Sequence, residues 1–188
     1  MHQAGFVHND LKLDNILVGR VDPHIVYLID FGLTCKYLES DGTHIKKEYI
    51  EKFSGNFLFA SLNSCRGNNK SRRDDIQSAL YIMIYLLNNN YLPWCDFHHK
   101  FKDLKYEFKD FLKERLNSKY TKDLLTMIPK SLRGVCKRVF TLKFDEEPPY
   151  DILINCIKIE LVRSMKLGQD LQPITHEFEW IAHQKKFF

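Results

Sequence analysis

Long apolar runs, clustered cysteines and glycine-rich loops are all missing from this chain. The longest apolar stretch runs from Ala79 to Leu87. A bilayer span needs about 20 such residues, so this stretch reads as a buried helix and no membrane partner is expected. The five cysteines, Cys35, Cys65, Cys95, Cys136 and Cys156, are scattered and form no C-x-x-C. That argues against a disulfide framework and against a zinc site, and predicts reduced thiols in an intracellular protein, cytoplasmic or nuclear. The opening "MHQAGFVHND" has no basic stretch followed by an apolar run, so no signal peptide is expected. Glycine occurs 8 times in 188 residues, and no two glycines are spaced as G-x-G. A glycine-rich phosphate cradle therefore has no counterpart in these residues. Neither sign of charge dominates: 28 Lys and Arg against 24 Asp and Glu give +4. This bias suits an anionic group but is too small to imply nucleic acid.

What is present is an ordinary globular composition, 44% apolar and 28% charged, in a chain long enough for one domain with a real core. The fold class expected is mainly α (α+β): short β-hairpins, then a helical bundle around a central buried helix. "GFVH" and "NILVG" are short β-rich pieces. "IVYLIDFG", Ile25 to Gly32, is a stronger strand ending at Asp30, and the turn between Gly19 and His24 makes a hairpin of the last two. Residues 33 to 70 show no sustained period, and a loop of that length is usually functional or disordered. From Ser71, a plausible N-cap, the pattern becomes helical. The later part of "SRRDDIQSALYIMIYLLNNN" is apolar around almost its whole circumference, which predicts burial on all sides. Three more segments carry amphipathic helical spacing: Phe101 to Leu116, "PKSLRGVCKRVFTL" and "YDILINCIKIELVRSM". Pro148 and Pro149 separate the last two.

Chemistry concentrates in "FVHNDLKLDNIL", which sets His8, Asp10, Lys12, Asp14 and Asn15 between two apolar pieces. The hairpin would bring the loop before Asn15 close to Asp30. A hard Mg²⁺ ion takes oxygen ligands, and an Asp carboxylate with an Asn carbonyl supplies two while leaving the rest to water and phosphate. Asp10 would then be free to orient a substrate hydroxyl and Lys12 to neutralise a transferring phosphoryl group. A lone aspartate in a loop is usually just an exposed turn residue. H-x-D-L-x-x-x-N followed 15 residues later by D-F-G is a far more specific pattern.

That pattern resembles the catalytic and metal loops of eukaryotic protein kinases, and the rest of the chain resembles the casein kinase 1 group. The group's G-T-A-R-Y-A-S-I-N is similar to Gly55-Asn56-Phe57-Leu58-Phe59-Ala60-Ser61-Leu62-Asn63. Its S-R-R-D-D-L-E-S-L-G-Y is similar to Ser71 through Tyr81, its L-P-W to Leu92-Pro93-Trp94, and its L-R-F-D-x-x-P-x-Y to Leu142 through Tyr150. The resemblance covers residues 1–162 as a kinase C-terminal lobe and leaves 163–188 as an extension without an assigned role. It implies a serine/threonine protein kinase that uses ATP and Mg²⁺ and acts on a protein substrate, with an anionic or phosphorylated peptide as a further possible partner. It implies Asp10 as the catalytic aspartate and Lys12 as the phosphate-contacting lysine. Asn15 and Asp30 are implied as metal and nucleotide ligands. Asp75 is implied as a buried aspartate holding the catalytic-loop backbone, and His8 as structural support beneath Asp30. The resemblance says nothing of oligomeric state.

Departures from the group's pattern qualify this. Asn9 stands where many kinases have an arginine that pairs with a phosphorylated activation segment. Leu58 replaces an anion-binding arginine and cannot donate its five hydrogen bonds. Arg72, Arg73 and the lysines near Lys102 and Lys105 read as a solvated face, and Leu80 replaces a glycine. The strand lysine and glycine-rich loop that clamp ATP phosphates would lie before the catalytic loop. Seven residues precede His8, so Met1 reads as an internal methionine of a longer kinase, and this chain as a fragment lacking the N-terminal lobe. A binding or pseudokinase scaffold is the alternative reading.

Overall fold

A computed structural model describes residues 1–50, 53–96, 108–116 and 118–167. It opens with a short 3₁₀ turn, His2–Ala4, closed by Gly5 at φ 81°. Strand β1, Phe6–Val7, pairs antiparallel with β4, Cys35–Lys36, placing Phe6 opposite Lys36 and Val7 opposite Cys35. Between them the chain makes a hairpin of β2, Ile16–Val18, and β3, Val26–Leu28, with Ile16 opposite Leu28. So one of the two small sheets is a hairpin, and the other joins strands 28 residues apart in register. Strand β3 stops earlier than its apolar run suggests. The Ile29 amide still donates to the Asn15 carbonyl at 3.0 Å, but Asp30 has φ 61°. A left-handed residue cannot continue a ladder.

The described residues between 33 and 70 contain little regular structure beyond β4 and one turn of helix, α1, Leu62–Cys65. Ser61 caps α1 by accepting the Ser64 amide at 3.0 Å. Helix α2, Arg72–Leu87, begins at Ser71, whose amide donates to the Asp74 carboxylate at 2.9 Å. Among the described residues the remaining helices are α3, Phe108–Arg115; α4, Ser118–Met127; α5, Arg133–Phe140; and α6, Tyr150–Leu167. Residues 101–107 of the expected helix and 168–188 of the extension lie outside the described residues. So do Lys102 and Lys105. Helix α4 was not expected, although Tyr120, Leu124 and Ile128 recur at four-residue spacing; of these, Leu124 and Ile128 are buried.

The core gathers on α2 and α5, which pack together, with Ile84, Leu92, Trp94, Ile128, Cys136 and Val139 essentially inaccessible. Each large apolar side chain so buried contributes about 1.5–3 kcal/mol. Two helices correct the sequence reading. Helix α2 is not buried on all sides, because Ala79, Leu86 and Leu87 face outward. Helix α6 is not simply amphipathic: Ile152, Ile154, Ile159, Leu161 and Val162 are all exposed. In both, apolar residues ring the helix while the described neighbours cover just part of it. A separate groove of about 970 Å³ lies between the end of β3 and the starts of α2 and α6, lined by Leu28, Ile76, Pro148 and Ile152 among others.

Candidate active site

The loop between β1 and β2 is held from below by a single carboxylate. Asp75, in the first turn of α2, accepts the His8 amide at 2.7 Å through Oδ2 and the Asn9 amide at 2.9 Å through Oδ1. His2 Nε2 lies 3.0 Å from the same Oδ2, and His2 Nδ1 lies 2.7 Å from the Tyr150 hydroxyl. Charge-assisted hydrogen bonds of this kind are about twice as strong as neutral ones. They also explain why an apolar helix starts with a buried acid. Burial pushes the Tyr150 hydroxyl up to about 12, so that group stays a donor. His8 is fully buried. The Asp10 amide faces its Nδ1 at 3.3 Å, which assigns the hydrogen to Nε2, 3.0 Å from the Ile29 carbonyl. This ties the loop to the chain just before Asp30, and the ring lies 5.5 Å from that of Phe31.

On this base the polar groups converge. The Asp10 Oδ2 oxygen accepts from Lys12 Nζ at 2.7 Å and from Asn15 Nδ2 at 3.3 Å. Asn15 Nδ2 also donates to the Asp10 carbonyl at 2.9 Å, which pins that side chain across the loop. The Asp10 bond, followed by the charges of Asp10, Asp30 and Asp14, outweighs desolvation and raises the Lys12 ammonium above its ordinary range. Asp10 Oδ1 is buried and has no hydrogen-bond partner among the described residues. Asp30 is exposed, its Oδ1 accepting the Gly32 amide at 3.2 Å. The hairpin sets Asp30 two residues beyond the Leu28–Ile16 pair, and so near Asn15. Both Asn15 and Asp30 offer oxygen, and Asn15 has spent its N–H groups on Asp10. That donor set fits Mg²⁺, which keeps several waters and takes few protein ligands.

A protein kinase domain model matches residues 1–157. The chain belongs to the protein kinase family. Within this family its kinship is with casein kinase 1. It is 32% identical over 177 aligned residues to casein kinase I homolog 3 of Saccharomyces cerevisiae, an alignment covering 82% of this chain and 33% of the yeast protein. It is 34% identical over 163 residues to casein kinase 1-like protein HD16 of Oryza sativa subsp. japonica, covering 82% of this chain and 22% of the rice protein. Casein kinase I homolog 2 of Schizosaccharomyces pombe is 32% identical over 158 residues, covering 81% of this chain and 35% of that one. The chain thus spans about a third or less of these kinases' length.

Around this site the structure revises the reading of some residues and adds others, Arg115 and Lys70, that motif reading passed over. Arg73 is buried: it donates to the Leu142 carbonyl at 3.1 Å and stands 3.5 Å from the Asp74 carboxylate. Arg72 donates to the Asp145 carbonyl and lies 4.8 Å over the Tyr37 ring. Neither forms the solvated face expected of it. Leu58 is half-buried and packs against the core, its carbonyl taking the Trp94 indole N–H at 2.8 Å. Arg115, fully buried, stacks 3.3 Å from the Trp94 ring and donates to the Ala60 carbonyl at 3.0 Å. Lys70, the residue before the α2 N-cap, was not singled out at all. No motif marks it, because its role depends on two segments distant in sequence.

Proposed function

We propose that this chain is the C-terminal lobe of a serine/threonine protein kinase of the casein kinase 1 type, which transfers the γ-phosphoryl group of ATP to a Ser or Thr hydroxyl of a protein. The observation that carries this reading is the convergence of Lys12 and Asn15 on Asp10, and the hairpin register, with Asp30 two residues beyond the Leu28–Ile16 pair, supports it. Asp10 takes the hydroxyl proton as the oxygen attacks phosphorus and the bond to ADP breaks. Its Oδ1 has no hydrogen-bond partner among the described residues. Lys12, kept protonated by its carboxylate neighbours, balances charge on the moving phosphoryl group. Asn15 and Asp30 would hold Mg²⁺, which when bound neutralises phosphate charge. The five free cysteines support an intracellular setting, cytoplasmic or nuclear.

Asp10→Asn tests the reading in the whole protein. Phosphate transfer to a casein-type peptide should be lost while nucleotide binding, followed by calorimetry, survives. Wild-type turnover in that variant would remove Asp10 as the proton acceptor.

A further inference from the structure

Lys70 lies at the seam between the catalytic loop and the segment that follows it. Its ammonium donates to the Asn9 carbonyl at 2.7 Å and to the Ser54 carbonyl at 2.7 Å, and lies 5.8 Å from the Phe53 ring. Asn9 sits at φ 68°, and its side-chain amide donates to the Leu33 carbonyl at 2.8 Å and to Cys35 Sγ at 3.0 Å. Four hydrogen bonds thus tie both flanks of the segment between β4 and α1 to the backbone immediately before Asp10. The packing leaves no slack. A Cβ on Gly55 would stand 2.9 Å from the Asn9 carbonyl, 3.1 Å from Lys70 Nζ and 3.4 Å from Asp10 Oδ1. Burial lowers the Lys70 ammonium from its ordinary range, against the charges of Asp74, Asp75 and Asp10. Desolvating an ammonium is costly unless acceptors receive it, and here two carbonyls do so at 2.7 Å, with the charges of Asp74, Asp75 and Asp10 acting from farther away.

We infer that Lys70 is a positioning residue that, together with Asn9, clasps residues 33–35 and 53–55 onto the catalytic loop without any added phosphate. The inference rests on the kinase reading for its consequence, since the clasp sets the Asn9–Asp10 peptide and therefore the Asp10 carboxylate. A lysine and an asparagine thus hold three carbonyls and a thiol across segments that lie far apart in sequence.

Hydrogen exchange read by mass spectrometry tests the clasp independently of catalysis. The full chain is treated with phosphatase, its unmodified mass confirmed, and compared with Lys70→Met and Lys70→Gln. Amides of residues 8–10 and 53–56 should exchange about tenfold faster in Lys70→Met, equivalent to about 1.4 kcal/mol of local opening. Lys70→Gln, which keeps two N–H donors one bond shorter, should lie between that variant and wild type, and it carries the test if Lys70→Met does not fold. Equal protection in all three proteins would overturn the clasp, as would loosening of the same amides by phosphatase alone. In any preparation that transfers phosphate, Lys70→Met should lower kcat about tenfold with KM for ATP unchanged. Full kcat in that variant would also overturn the inference. Failure of the kinase reading would show separately, as wild-type protein no more active than Asp10→Asn.

Discussion

The two ends of helix α2 face opposite situations. At its start, buried polar groups are paired almost one for one: Asp75 with two loop amides and His2, Asp74 with the Ser61 hydroxyl at 2.5 Å and the Ser71 amide, Gln77 with the Val139 carbonyl. Towards its end, and along α6, large apolar side chains such as Leu87 and Ile159 stand exposed. The contrast shows where this chain is self-sufficient. Leaving a buried polar group unpaired costs the full desolvation penalty, and in the catalytic loop most groups find partners within the described residues, with Asn9 Oδ1 and Asp10 Oδ1 the buried exceptions. An exposed isoleucine merely forgoes burial.

Changes at the polar end should therefore have large effects and changes on the open apolar face small ones. Asp75→Ala strands the His8 and Asn9 amides and should cost about 3–5 kcal/mol in urea unfolding. A loss under 1 kcal/mol would mean the loop is held elsewhere. Asp10→Asn should lower phosphate transfer by about 10²–10⁴-fold while changing stability little, which separates the reacting group from its anchor. Gly55→Ala forces a Cβ against the Asn9 carbonyl at φ 102° and should cost about 1–3 kcal/mol. Its melting temperature shows whether the segment yields.

The buried Cys136 thiol gives a gentler probe. Burial raises it from 9.0 to about 11, so the unfolded chain loses this proton first. Its contribution to stability is present below pH 9 and is lost as pH rises through about 11. Cys136→Ser should flatten that part of the pH–stability curve. Last, Ile159→Lys on α6 should stay within about 0.5 kcal/mol of wild type. A loss well beyond that would show that the apolar face is covered in solution, and would blur the comparison.

Legibility in the sequence follows the same division. The hairpin was readable because two short apolar runs and the Gly-Arg-Val-Asp-Pro turn between them are local, and the pairing of Val18 with Val26 agrees with them. The α2 start was readable from Ser71 and its acids. Strand β4 was not, since a two-residue strand paired with Phe6–Val7 leaves no period of its own. Arg73 looked solvated because a charged residue in a polar stretch usually is. Its burial depends on the Leu142 carbonyl, 69 residues away. Apolar pattern predicted a wholly buried α2, but pattern states which residues prefer burial and not which ones the neighbours reach.

By itself the sequence determined the chemistry on offer: an aspartate, a lysine and an asparagine in one short loop, a second aspartate before Phe-Gly, and the motifs that place them among kinases. Side-chain type and local spacing are enough for that. Tertiary structure alone decided that Arg73 turns inward to the Leu142 carbonyl, that Lys70 bridges Asn9 and Ser54, and that α6 leaves its isoleucines open. Each depends on contacts between distant segments, whose energies no local pattern encodes.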